Sequence, residues 1–525
     1  MRAFHQLLQS TFIALAVLLA GCGGGSGGGS VASGGIGGTG QIASGTITAF
    51  GSIFVNGIEF KNIGTATCTI DGTSVLGSNC QSSLQLGMVV KVNGTFDSTT
   101  GAGTATQVVY NNDVDGPVSN ILPTTANLGP ADVTRTFTVL NTKVQIDSAS
   151  TKFISTTGTK GFSNLADADV VEVSGFFDSN GLLHATYIEV KPTFSNTTKV
   201  EIKGSVSITN PVGGASAAGD SFVVTGTNNI PINVVIANSS QVPGGADLSD
   251  MPGGVVQNNT LVEVRGTYDS ATKTITADRV QPDDTSIGGD GDEVNIEGLV
   301  TDFVSQSNFK VAGQQVDATS AIFSPLTLMS QLANGIKVEV EGNISGTTLN
   351  ATKVESRGND IKIEARVSKN PVGNTVTVQF ASGGTLVILV DNQTQMEDKF
   401  GPAPIQKFHL PDITKDDFLE IRGFINTDTM IDVTASQIRR TTLDDDVLEG
   451  PLDSASGVSN SVSILGVNFT TDPVNTDFSG SGVSDSTTFY NNAQGGCIVK
   501  VEDGDVPTTY PNGIADEISL EGSCP

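Results

Sequence analysis

The chain's 525 residues exceed a single compact core and, at roughly 100–200 residues per domain, make several. Its 27 Lys and Arg stand unclustered against 55 Asp and Glu, a formal net charge of −28, which argues against nucleic acid as a partner. Charged residues are only 16%, too few for an acidic disordered chain, and the absence of Trp with 6% aromatics removes broad sugar-stacking platforms.

At the start, Arg2 precedes a short apolar run, Thr11 to Ala20. The run is shorter than the about 20 residues needed to span a bilayer and has the size of a secretory core. Leu19-Ala20-Gly21-Cys22 follows and resembles the lipobox of bacterial lipoproteins. That resemblance implies a signal peptide over 1–21, a diacylglycerol on the Cys22 thiol, an acylated Cys22 amine and a membrane reached through this lipid. An ordinary signal peptide followed by a chance Cys is the bland alternative. Residues 22–44 then make a lipidated Cys and a flexible Gly/Ser-rich tether. Gly23, where retained Gram-negative lipoproteins carry Asp, points to the outer membrane, with the leaflet unspecified.

The rest of the chain repeats itself in six units: 45–115, 116–199, 200–293, 294–359, 360–446 and a degenerate 447–525. One block reads V-x-V-x-G or near it: Val90 to Gly94, Val171 to Gly175, Val262 to Gly266, Val338 to Gly342 and Leu419 to Gly423. In the sixth unit, Val499 to Asp503 loses the Gly. A second block, Ala-x-x-[VI], follows each. A third, an apolar strand with Asp-x-x-Thr or a variant, precedes both, as at Asp147 with Ser150-Thr151, Asp317 with Ser320 and Asp391 with Thr394. The alternation in Val-Glu-Val puts one face on a core and the other in water. Asn56-Gly57 marks a two-residue hairpin. Helix is scarce; the best candidate is Ser324 to Asn334. The expectation is an all-β tandem array of about six small five-stranded barrels, each marginal alone and helped by stacking on neighbours.

GTITAFGSIFVNGIEF, LQLGMVVKVNGTFD and DVDGPVSNI resemble the DUF5666 repeats of bacterial envelope lipoproteins. The likeness covers 45 to about 355 and fades beyond 360. It implies an envelope location and a repeat fold similar to small OB-like barrels, and it carries no activity.

Beyond Cys22 the chain has Cys68, Cys80, Cys497 and Cys524. An even number in an exported chain reads as disulfides. The pairs 68–80 and 497–524 are favoured because each lies within one terminal unit. Asn111, Asp113 and Asp115 match the opening of a calcium loop, but Leu122 stands where its bidentate Glu belongs. Asp290 and Asp292 form a second cluster. Both read as solvated junctions, with a weak Ca²⁺ site as the sharper alternative; no other cofactor is indicated. His184 and His409 are the two His outside the leader, and no nucleophile or metalloprotease motif accompanies them. These features support a non-catalytic structural or binding role at the cell envelope, toward a protein or glycan. A calcium-stiffened adhesin and a glycan hydrolase using a carboxylate pair are the alternatives.

Overall fold

The computed structural model describes residues 40–521, apart from 51, 62, 98–101, 130–131, 149, 157, 196–197, 210–212, 284–286, 327, 358–360, 403, 406–407, 427–429, 481 and 505–510. Cys22, the signal peptide, nearly all of the tether and Cys524 lie outside the described residues.

The alternating residues of each repeat form strands that close on themselves. In the first barrel, Gly40–Phe50 pairs antiparallel with Ile53–Val55, which pairs with Ile58–Lys61. Ile58–Lys61 runs parallel to Ala102–Tyr110, which pairs with Val89–Asp97, and Val89–Asp97 returns to the first strand. All six repeats follow this order, first-second-third-fifth-fourth-first, with the third and fifth strands parallel; in the sixth the fifth strand is split at Asp516, Ile514–Ala515 pairing with the third strand and Glu517–Glu521 with the fourth. The fold is therefore an array of OB-like five-stranded barrels. Asn56 (φ 49°) and Gly57 (φ 73°) make the expected turn, with Val55 opposite Ile58. The expected helix is shorter than Ser324 to Asn334. Ser324 ends the strand Ile322–Ser324, and the helix is only Leu328–Gln331, still between the third and fourth strands.

The repeated blocks meet at one corner of each barrel. The register shifts just before the motif Gly in five barrels, at Asn93/Gly94, Ser174/Gly175, Arg265/Gly266, Glu341/Gly342 and Arg422/Gly423. Such a bulge bends the strand so that the barrel closes. A Cβ at Gly342 would lie 2.1 Å from the Asn350 carbonyl oxygen, so the close approach admits only Gly. The motif Thr ties the opposite side. Thr151 and Thr394 Oγ1 donate to the carbonyls of Ala185 and Ala435 at 2.8 and 2.7 Å, and in the sixth barrel Thr476 Oγ1 makes the same bond to the Ala515 carbonyl at 2.6 Å. In the sixth barrel Asp503 replaces the Gly, and its buried carboxylate accepts the Asn512 and Gly513 N–H groups at 2.9 and 2.7 Å.

Barrels one to four each enclose their own apolar cluster, whereas five and six share one continuous core. Tyr187 of barrel two is buried in the core of barrel one. Each first strand also reaches another barrel. Gln41–Ser44 run parallel to Glu293–Ile296, joining barrels one and four. Asp115 pairs with Glu201, joining two and three. Lys362–Glu364 pair antiparallel with Val447–Glu449, joining five and six. Asp115, expected in a solvated junction, is thus a strand residue at a barrel–barrel seam, as are Glu293 and Asp446 to Glu449.

Candidate functional site

Three sequence-derived sites have definite places. Cys68 and Cys80 form a disulfide with Cα atoms 5.8 Å apart, and Cys497 is disulfide-bonded. Asn111, Asp113 and Asp115 do not line a solvent loop. Asp113 Oδ2 accepts the Gly175 N–H at 2.9 Å, with Lys203 4.0 Å from Oδ1. Lys191 lies 2.6 Å from Asp115 and 2.7 Å from Glu172. Burial pushes Asp113 and Asp115 up to about 6, against the pull of Lys203 and Lys191. Asn111 Oδ1 is buried without a hydrogen-bond partner. Asp290 accepts the Gly346 N–H at 2.6 Å and Asp292 the Gly289 N–H at 2.7 Å. Among the described residues, no group of three or more His, Cys, Asp or Glu is placed to hold a metal ion.

The structure brings together a different set. Barrels one, two, four and five meet around a cavity of about 300 Å³, at the lower end of small-molecule sites. Barrel four supplies its charges. Its first strand pairs with barrel one up to Ser44 and Ile296; one residue further along that strand, Glu297 accepts the Thr46 N–H of barrel one at 2.7 Å. Leu299 lies opposite Lys337, which sets Lys337 diagonal to Glu297, and the two are 2.5 Å apart. Burial disfavours the Glu297 carboxylate, but Lys337 and the Thr46 N–H hold it below the ordinary range. Arg357 follows the fifth strand, Thr348–Ser356, and turns back on Glu339 with two contacts of 3.0 and 2.8 Å. Asn295 donates to the other Glu339 oxygen at 2.7 Å. Burial still pushes Glu339 up to about 7, against the pull of Arg357.

Barrel two adds Ser150, Phe176, His184 and Thr186. Phe176 and His184 are cross-strand partners, and the Lys337 ammonium sits 5.3 Å from the Phe176 ring centroid. His184 Nε2 lies 3.5 Å from Asp178. Barrel five adds Gln393, Gln395, Ser436 and Gln437, with Gln395 directly beside Gln437 in a parallel pair. Gln395 Nε2 and Gln393 Oε1 are buried without a partner. An ion pair between Lys152 of barrel two and Glu397 of barrel five braces these walls. Burial dominates at Lys152 and lowers it. At Glu397 burial is outweighed by Lys152 and Lys399, which draw it down to about 2. His409, by contrast, caps the turn Leu410–Asp412 and takes no part in the lining.

The sequence reading missed this site because its residues come from four repeats. One signal was present: Glu172, Glu263 and Glu339 occupy the same middle position of Val-Glu-Val. All three are buried, where the alternation predicted water, and Glu172 accepts the Tyr110 hydroxyl of barrel one at 2.8 Å.

Fold and site together define a class: a multi-barrel β protein with an inter-barrel polar cavity. Three of its stretches, residues 39–109, 125–189 and 297–355, match the family model described as "Domain of unknown function (DUF5666)". These three stretches are DUF5666 repeats by that match, and they fall in barrels one, two and four. No similar sequence was found among curated proteins. Among solved structures the chain is similar to one titled "drosophila Unr CSD456", at 11% identity and a TM-score of 0.11, over 46% of this chain and 97% of that one. Among the described residues no helix is long and apolar enough to cross a membrane.

Proposed function

We propose that the chain is a cell-envelope lipoprotein, held to a membrane by a lipid on Cys22, that binds a ligand or partner without transforming it. The observation that carries the binding role is the four-barrel cavity, whose charges are engaged with one another. Glu297 is paired with Lys337, and Arg357 with Glu339. Proton transfer or nucleophilic attack needs a group left available to the substrate, and pairing takes these four charged groups out of that role. The anchor rests on Leu19-Ala20-Gly21-Cys22, and the Gly/Ser tether gives the barrels reach from the membrane. The outer membrane is the location this reading favours.

The test is labelling of growing cells with a palmitate analogue, followed by envelope fractionation. The wild-type chain should take up label and fractionate with membranes, and Cys22→Ser should remain unlabelled. Label on the Cys22→Ser variant, or a wild-type chain that is unlabelled and free of membranes, overturns the anchor.

A further inference from the structure

We propose that the four-barrel cavity is a binding site for a neutral, hydroxyl-rich ligand: a mono- or disaccharide, or the terminal sugar of a glycan. This rests on the binding role proposed above and names its ligand class.

The charge balance selects the class first. An anion would have to compete with Glu297 for Lys337 and with Glu339 for Arg357, and both basic groups are already held at 2.5 to 3.0 Å. A metal cation lacks a carboxylate cluster among the described residues. The rest of the lining is mostly neutral and polar, including Gln393, Gln395, Gln437, Ser150 and Thr48. Gln395 is 8% exposed, and its Nε2 has no hydrogen-bond partner. A buried donor left unpaired costs about 1–3 kcal/mol, so the site gains by receiving an acceptor there. Gln393 presents the complementary group, an unpartnered Oε1. Each is a lining residue with one amide atom unmet, and a hydroxyl, itself both donor and acceptor, satisfies either amide once its side chain turns toward the cavity. Leu299 and Ile336 in the same lining supply apolar surface for the C–H face of a pyranose. Enclosure by four barrels replaces the stacking platform that the lack of Trp excludes. The cavity's volume, about 300 Å³, limits the bound part to one or two sugar rings.

The experiment uses the full chain with methyl-labelled Ile and Leu, titrated with glucose, N-acetylglucosamine and maltose. Glucuronate and glucose 6-phosphate serve as charged counterparts. At least one neutral sugar should shift the Ile336 and Leu299 methyl resonances saturably, and its charged counterpart should bind at least tenfold more weakly. Gln395→Leu should weaken neutral-sugar binding by at least tenfold. Its melting temperature should hold, because the replaced amide group satisfies no partner through Nε2. A Gln395→Leu variant that melts lower is replaced by Gln393→Leu, read in the same way.

Equal binding of charged and neutral sugars, saturable shifts that survive both substitutions, or no saturable shift with any neutral sugar overturns the proposal. In the last case, palmitate labelling and membrane fractionation of the same protein still decide the lipoprotein reading independently.

Discussion

A carbonyl oxygen and a hydroxyl fix the corner of each barrel. Gly342→Ala would drive a Cβ into the Asn350 carbonyl oxygen, 2.1 Å away, and should destabilise barrel four by several kcal/mol, on the order of the larger strain effects. Gly161→Ala meets nothing within 4 Å and should be neutral. Thr394→Val removes the hydroxyl that satisfies the Ala435 carbonyl and should cost about 1–3 kcal/mol. Chemical denaturation of the three variants checks the ranking, and equal midpoints for Gly342→Ala and Gly161→Ala would refute it. A second residue-scale prediction concerns pH. Burial raises Asp113 and Asp115 to about 6, with Lys203, Glu263 and Asp283 facing the first and Lys191, Glu172 and Asp71 facing the second. The folded chain therefore holds these protons more tightly than the unfolded one, where Asp titrates near about 4. Their contribution is complete below that value and is lost as pH rises through about 6. Stability at fixed ionic strength should rise as pH falls from 7.5 to 5, and Asp115→Asn should flatten that rise. A wild-type midpoint that falls steadily over this range would count against it.

At the scale of elements, the first strands carry the assembly. Gln41–Ser44 are bonded on one side to their own barrel and on the other to barrel four, so both edges of that stretch are covered. Amide exchange there should be among the slowest in the protein, and rapid exchange at Ile42 to Ser44 would show that the parallel seam does not hold. Much of the barrel was legible in the sequence. Period-two alternation, Asn56-Gly57 and the motif Gly report local geometry, and local geometry survives in any copy of the repeat. The seams were not legible, for a physical reason. A polar residue on the outer face of a strand reads as solvated, and nothing beside Glu172 or Glu297 in sequence announces Tyr110 or Thr46 of barrel one. The same holds for Asn56. Its turn role was evident, while its Nδ2 bonds at 3.0 Å to the carbonyls of Ser44 and Asn295 join barrels one and four. The candidate site was least legible, since Gln395, Phe176, Glu297 and Thr46 belong to four separate repeats.

For the whole molecule, the six barrels are laced together and do not hang as beads. Asn112 is 1% exposed, and its backbone N–H and Nδ2 donate to Asp71 while Nδ2 also reaches Glu201 of barrel three. Limited proteolysis should therefore spare 111–115 and begin at exposed turns such as Val458, which is 100% exposed. Early release of barrel one by a cut in 111–115 would contradict this packing. The parallel seam also has a consequence in time. Thr46 meets Glu297 across 251 residues of chain. At a synthesis rate of about 5–20 residues per second, that interval lasts roughly 12–50 s. Throughout it the outer edge of Gln41–Ser44 has no strand to cover it, and an uncovered edge is a template for pairing with other chains. For a chain exported in step with its synthesis, that edge stays open for as long as the intervening 251 residues take to arrive, and slower delivery lengthens the exposure.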